Sequence, residues 1–211
     1  MMKAYFNSIL VFLPIIFISC SPKESINDNL ETSIDTSSFA QSRTHESTLD
    51  ELANEYLTYL SQSDFLALAE LNGSAKVLFS PYLFVDTTSA LKFSFQEMRA
   101  LAGADVSNKW GLYDGSGEPI FLNIQNYFAR FVNDVNYLDD TAEINLGEVQ
   151  QRGNSLSNLT ELFPDAEFVE FYKGPVDDEL MGMDWRSLIL VFQLVHDEIK
   201  LVAIVHNEWT I

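Results

Sequence analysis

Two long apolar runs at the C-terminus constrain this chain most. Trp185 to Val195 is mostly apolar, with Arg186, Ser187 and Gln193 as the exceptions. His196-Asp197-Glu198 is a polar break, and Ile199 to Trp209 is a second run. Both are rich in apolar residues, and a short polar break between two such runs predicts a β-hairpin. Successive side chains on a strand point to opposite faces. Strict alternation therefore places Leu201, Ala203, Val205, Asn207 and Trp209 on one face. Val202, Ile204, His206 and Glu208 fall on the other. A sheet built on this hairpin needs apolar cover, and the preceding sequence supplies helices.

Thr48-Leu49-Asp50-Glu51 has a capping-box pattern, and Leu49, Leu52, Ala53, Tyr56, Leu57 and Leu60 then recur on one helical face. A shorter helix begins near Asp64 and stops at Asn72-Gly73. Lys76 to Val85 is rich in β-formers, with Pro81 marking an edge or a bend. Residues 94–99 and 124–133 read as further helices. Residues 109–113 and 168–172 read as short strands. Helices first and long antiparallel strands last predict an α+β fold, with N-terminal helices packed on a curved, mostly antiparallel sheet.

The N-terminus carries an address. Lys3 precedes an apolar run from Ile9 to Ile18, interrupted by Pro14. The run is about half of the roughly 20 residues a spanning helix needs, so it reads as an export signal over 1–19. Phe17-Ile18-Ser19-Cys20 resembles a bacterial lipobox, with Phe17 where Leu is usual. The resemblance implies a lipid on Cys20. By the same resemblance, Ser21 rather than Asp at the next position favours the outer membrane in a cell that has one. Cys20 is the sole cysteine, which leaves no intramolecular disulfide and no cysteine-based zinc site. Residues 20–47 are polar and aperiodic and read as a flexible tether reaching about 30 Å. Residues 48–211 are left as one globular domain.

The formal charge is −19. Residues 1–19 hold Lys3 and no acid, so the remaining chain sets 11 Lys and Arg against 31 Asp and Glu. Such a chain repels nucleic acid and anionic head groups. Its membrane contact is expected through the lipid on Cys20, and its other partner is an unidentified small molecule or protein.

The element order over 48–211 resembles the NTF2-like, cone-shaped α+β fold. The similarity is carried by the helix ending Asp64-Phe65-Leu66-Ala67-Leu68-Ala69, by Val77-Leu78-Phe79-Ser80-Pro81-Tyr82 and by the closing hairpin. Phe79-Ser80-Pro81-Tyr82, residues 110–120, residues 182–188 and residues 206–211 resemble segments of a group of uncharacterised bacterial lipoproteins. The first resemblance implies a pocket between sheet and helices, and allows a homodimer through an open sheet face. It fixes no activity, because the fold hosts many.

Asp184 and Arg186 are two apart, as are His206 and Glu208 on the partner strand. Gathered at one end of the cone, they could bind a polar ligand. His206, with Asp184 or Glu208, is the candidate for acid–base catalysis. The same residues also make an ordinary salt-bridged rim. Tyr82, Trp110, Tyr113, Trp185 and Trp209 are candidate pocket aromatics, with core or rim packing as the alternative, together with Asp184, Arg186 and His206 as ligand-binding residues. Asp114 to Glu118 lacks the ligand spacing of a calcium loop and reads as a turn. Nucleophile elbow, zinc-protease, phosphate-loop and dinucleotide motifs are absent, and no metal or cofactor is expected. The leading expectation is a lipid-anchored binding or interaction domain without catalysis. The alternative is a small-molecule lyase, isomerase or hydrolase.

Overall fold

The computed structural model describes residues 36–104 and 106–210, with side chains from residue 48 onward. The export pattern, Cys20 and the first part of the expected tether lie outside the described residues. Helix α1 spans Thr36–Ser61 and so begins ahead of the capping pattern at Thr48, within the stretch expected as tether. Leu49, Ala53, Tyr56, Leu57 and Leu60 are buried along its inner face. Helix α2, Phe65–Asn72, is capped by the Asp64 carboxylate, which accepts from the Leu66 and Ala67 N–H groups. It ends at Gly73, whose φ of 61° suits glycine.

Strand β1, Val77–Ser80, stops at Pro81, because proline cannot donate to a ladder. After β2 (Leu91–Phe93), Ser94 and Glu97 form a complete capping box that starts α3, Phe95–Ala102. A two-stranded ribbon follows, β3 (Asn108–Leu112) with β4 (Pro119–Leu122), then α4, Ile124–Phe131. The remaining elements are β5 (Ala142–Leu146), a single-turn α5 (Leu159–Leu162), β6 (Glu167–Lys173), β7 (Arg186–Val195) and β8 (Glu198–Glu208).

The main sheet has the order β2-β1-β8-β7-β6-β5. All its pairings are antiparallel except β1 with β8. The fold is therefore α+β with a mostly antiparallel sheet. Phe79, Phe171, Leu188, Leu190, Phe192, Leu201 and Ile204 face helices α1 to α4 and the ribbon. Trp110 stacks on Tyr127 at 3.8 Å, with Phe79 edge-on to both. Each such contact contributes about 0.5–1.5 kcal/mol beyond its buried area. The second face is covered as well. Leu78, Phe168, Ile189, Val191, Ala203 and Val205 lie beneath Leu83, Val85 and Leu159.

The hairpin departs from strict alternation at one place. Val191 pairs with Ala203 and Phe192 with Leu201, which leaves Val202 without a partner. This β-bulge turns Leu201 to the same face as Ile204, not the face of Ala203 and Val205. Asn72 repairs the ladder there. Its Oδ1 accepts from the Leu201 N–H at 3.0 Å, and its Nδ2 donates to the Leu201 carbonyl at 3.1 Å. Among the described residues, no helix is long and apolar enough to cross a membrane.

Candidate functional site

The hairpin register sets Arg186 opposite Glu208, and Leu188 opposite His206. Helix α4 supplies Arg130, and the loop after it supplies Asp134 and Tyr137. Arg130 Nη2 lies 2.6 Å from Glu208 Oε1, and Arg186 Nε lies 3.3 Å from Glu208 Oε2. The same Arg186 Nε is 3.2 Å from Asp134 Oδ2. Asp134 Oδ2 also meets His206 Nε2 at 3.0 Å, and Tyr137 donates to Asp134 Oδ1 at 3.1 Å. One chain of polar contacts thus runs Arg130–Glu208–Arg186–Asp134–His206.

His206 is fully buried, with its ring edge-on to Phe131. Its Nδ1 faces the Pro81 carbonyl at 3.1 Å. Burial pushes the Asp134 carboxyl up, but hydrogen bonding and charge from His206, the Tyr137 hydroxyl and the Arg186 charge outweigh it. The carboxyl is held below the ordinary aspartate value. Both ring nitrogens of His206 are thus at hydrogen-bond distance from protein oxygens. Burial first, and Asp134 second, push the Tyr137 hydroxyl up, so it stays a donor. The Arg130 guanidinium is disfavoured by burial and restored by Glu208, with its value raised on balance.

The other expected residues have their bonding partners elsewhere, with Tyr82 within electrostatic reach of Glu208 and Arg130, and Asp184 within that of Arg186. Strand β7 starts at Arg186, so Asp184 precedes it and turns away. Its Oδ2 accepts from the Val176 and Asp177 N–H groups at 2.9 and 3.0 Å. Trp110 is buried, and its Nε1 donates to the Leu122 carbonyl at 2.8 Å. Trp209 follows β8 beside Gly153, where an added side chain would touch both Trp185 and Trp209. Tyr113 packs partly buried on the helical core, and closes the 114–117 turn through its carbonyl and the Gly117 N–H. Tyr82 packs edge-on to Phe131, and its hydroxyl accepts from the Asp114 N–H at 3.2 Å.

Tyr82 also lines two solvent-open recesses. One, of about 150 Å³, is bounded by Pro81, Phe84, Asp86, Trp110 and Leu112. The other, of about 370 Å³, is bounded by Phe84, Asp114, Leu156 and Thr210. A third recess of about 330 Å³ reaches Asp134 and Tyr137. His206 lines none of these three. Among the described residues, no cluster of three or more His, Cys, Asp or Glu is arranged to hold a metal ion.

Arg130, Asp134, Tyr137 and Phe84 were not legible as site residues. Asp134 lies in an irregular polar stretch after α4, with no periodicity to give its direction. Phe84 falls in a run of β-formers, where alternation has no fixed origin. Comparison of the chain with protein-family models, with curated proteins and with solved structures gives no match.

Proposed function

We propose that this chain is a lipid-anchored binding or interaction domain of the bacterial cell envelope, held through Cys20 and without chemistry of its own. The observation that carries the binding reading is a contrast between two regions. The charged cluster pairs its groups with one another and meets solvent beside Asp134 and Tyr137, whereas the surface around Tyr82 and Phe84 opens two recesses bounded by exposed apolar side chains. The lipobox-like Phe17-Ile18-Ser19-Cys20 supports the anchor and the outer-membrane address. The NTF2-like cone is supported by helices gathered on one sheet face and by a hairpin bent at Val202. A homodimer through an open sheet face has less support, because Leu83, Val85 and Leu159 cover the second face.

The enzymatic alternative asks His206 to act as a base. Its ring is fully buried and both nitrogens face protein oxygens, at Pro81 and Asp134, which favours the binding reading. Detergent-phase partitioning of the full chain, expressed in a bacterial host fed labelled palmitate, tests the anchor. The unaltered chain should enter the detergent phase and carry label, and Cys20→Ser should do neither. Identical partitioning and labelling of the two would remove the anchor from the proposal.

A further inference from the structure

Leu83 and Val85 are buried against the second face of the sheet, and Phe84 between them is turned outward, 57% exposed. Phe84 lines both of the recesses that share Tyr82. Leu112, 51% exposed, bounds the first, and Leu156, 72% exposed, bounds the second. Large apolar side chains scattered singly on a surface need no explanation. Three around one ridge, with two open recesses beside it, make a surface shaped to receive another apolar group.

Charge narrows the occupant. Asp86 lies in the first recess and Asp114 in the second, and no lysine or arginine lines either. Hydrogen bonds from the Thr88 and Ser89 hydroxyls and the Thr88 N–H hold the Asp86 carboxyl below its ordinary value, so it is an anion at neutral pH. A second copy of a chain with formal charge −19 brings like charge to the ridge. An anionic membrane surface does the same. A cationic segment with an apolar tip matches both the ridge and its acids.

We propose that the Phe84 ridge docks a polypeptide segment presenting an apolar side chain between lysine or arginine residues. This rests on the binding reading above and adds to it a place and a partner chemistry. The apolar side chain lies against Phe84, with Leu112 or Leu156 beside it, and the flanking cations face Asp86 and Asp114. Exposed acids at a rim steer encounter more than they hold the complex, so association should weaken with salt.

The test uses the full chain and two fluorescein-labelled hexapeptides, KKFLKK and EEFLEE, with anisotropy read at low and high salt. KKFLKK should bind saturably and EEFLEE should not. Phe84→Ser and Leu156→Ser should each weaken KKFLKK binding at least about tenfold. Asp86→Asn combined with Asp114→Asn should flatten the salt dependence. Both apolar positions are exposed, so the variants should keep the circular dichroism spectrum and urea midpoint of the parent. Absence of saturation at millimolar protein, or equal binding of EEFLEE, overturns the proposal. KKFLKK binding that ignores both serine variants overturns the ridge while leaving a binding domain in place. Self-association in sedimentation velocity that Phe84→Ser abolishes assigns the ridge to a second copy instead. None of these readouts depends on Cys20, so the anchor and the ridge fail separately.

Discussion

Asp134 Oδ2 lies 3.0 Å from His206 Nε2, and this contact ties the loop after α4 to the last strand of the sheet. The same oxygen faces Arg186, and the other carboxylate oxygen takes the Tyr137 hydroxyl. Removing the carboxylate therefore takes an acceptor from a buried ring, from a hydroxyl and from a partly buried guanidinium that keeps Glu208. Breaking one side of a buried ionic network costs about 3–5 kcal/mol. Urea denaturation of Asp134→Ala should show a loss of that size. A loss below about 1 kcal/mol, the range of exposed pairs, would mean the network adds little to the fold.

Acid should destabilise the protein through the same group. The folded-state carboxyl of Asp134 lies below its ordinary value of 3.8, and that of Asp139, beside Lys173, is lowered to about 2. As pH falls below about 4, the unfolded chain takes up protons that these folded carboxylates refuse. Stability from them is complete above the ordinary value and is lost as pH falls through the lowered one. Acid also relieves the self-repulsion of an acidic chain, which opposes this loss. Comparing Asp134→Asn with the parent isolates the first effect. The gap in unfolding free energy between them should narrow from pH 6 to pH 3, and a constant gap would exclude Asp134 as a source of acid sensitivity.

The hairpin was readable because both its strands are long and rich in apolar residues, and because one polar break separates them. Its register was close enough to set Arg186 opposite Glu208. The bulge at Val202 was not readable, since valine suits a regular strand as well as a bulge, and the consequence was a wrong face for Leu201. The charged cluster was half visible. Arg186, His206 and Glu208 sit on the hairpin, where the period of two fixes direction. Asp134 sits in a loop, where nothing local does. Asp184 illustrates the reverse error, because period-two spacing from Arg186 has meaning only where a strand exists, and β7 begins at Arg186. Strands β2, β4 and β5 have three to five residues, too few to stand out by alternation.

Asn72 should matter as much as a core residue of greater size. It is fully buried at the C-terminus of α2, and its amide matches both backbone groups of Leu201 at the bulge. Its Oδ1 also accepts from the Tyr56 hydroxyl at 2.8 Å. Asn72→Ala would strand a buried N–H, a carbonyl and a hydroxyl, each costing about 1–3 kcal/mol when unpaired. A destabilisation of about 3 kcal/mol is expected in urea denaturation. Amide exchange at Leu201 should quicken more than exchange at Ile189, in the next strand. Equal effects at the two amides would mean that Asn72 supports the sheet generally and not the bulge.

The hairpin turn offers a gain. His196 and Asp197 hold φ values of 51° and 65°, between the paired residues Val195 and Glu198. Two successive positive φ values define the two-residue turn whose twist matches the flanking strands, and Asn-Gly is its preferred sequence. Left-handed backbone costs roughly 1–2 kcal/mol per residue with an ordinary side chain, and less for asparagine or glycine. His196→Asn with Asp197→Gly should therefore add about 1 kcal/mol, or about 2–4 °C in Tm for a chain of this length. Asp197→Val, which places a β-branched side chain at positive φ, should lower Tm by a similar or larger amount. Neither His196 nor Asp197 lines the recesses beside Phe84, so KKFLKK binding should be unchanged. If neither variant moved Tm, the turn would not limit stability, and the long β7–β8 ladder alone would hold the hairpin closed.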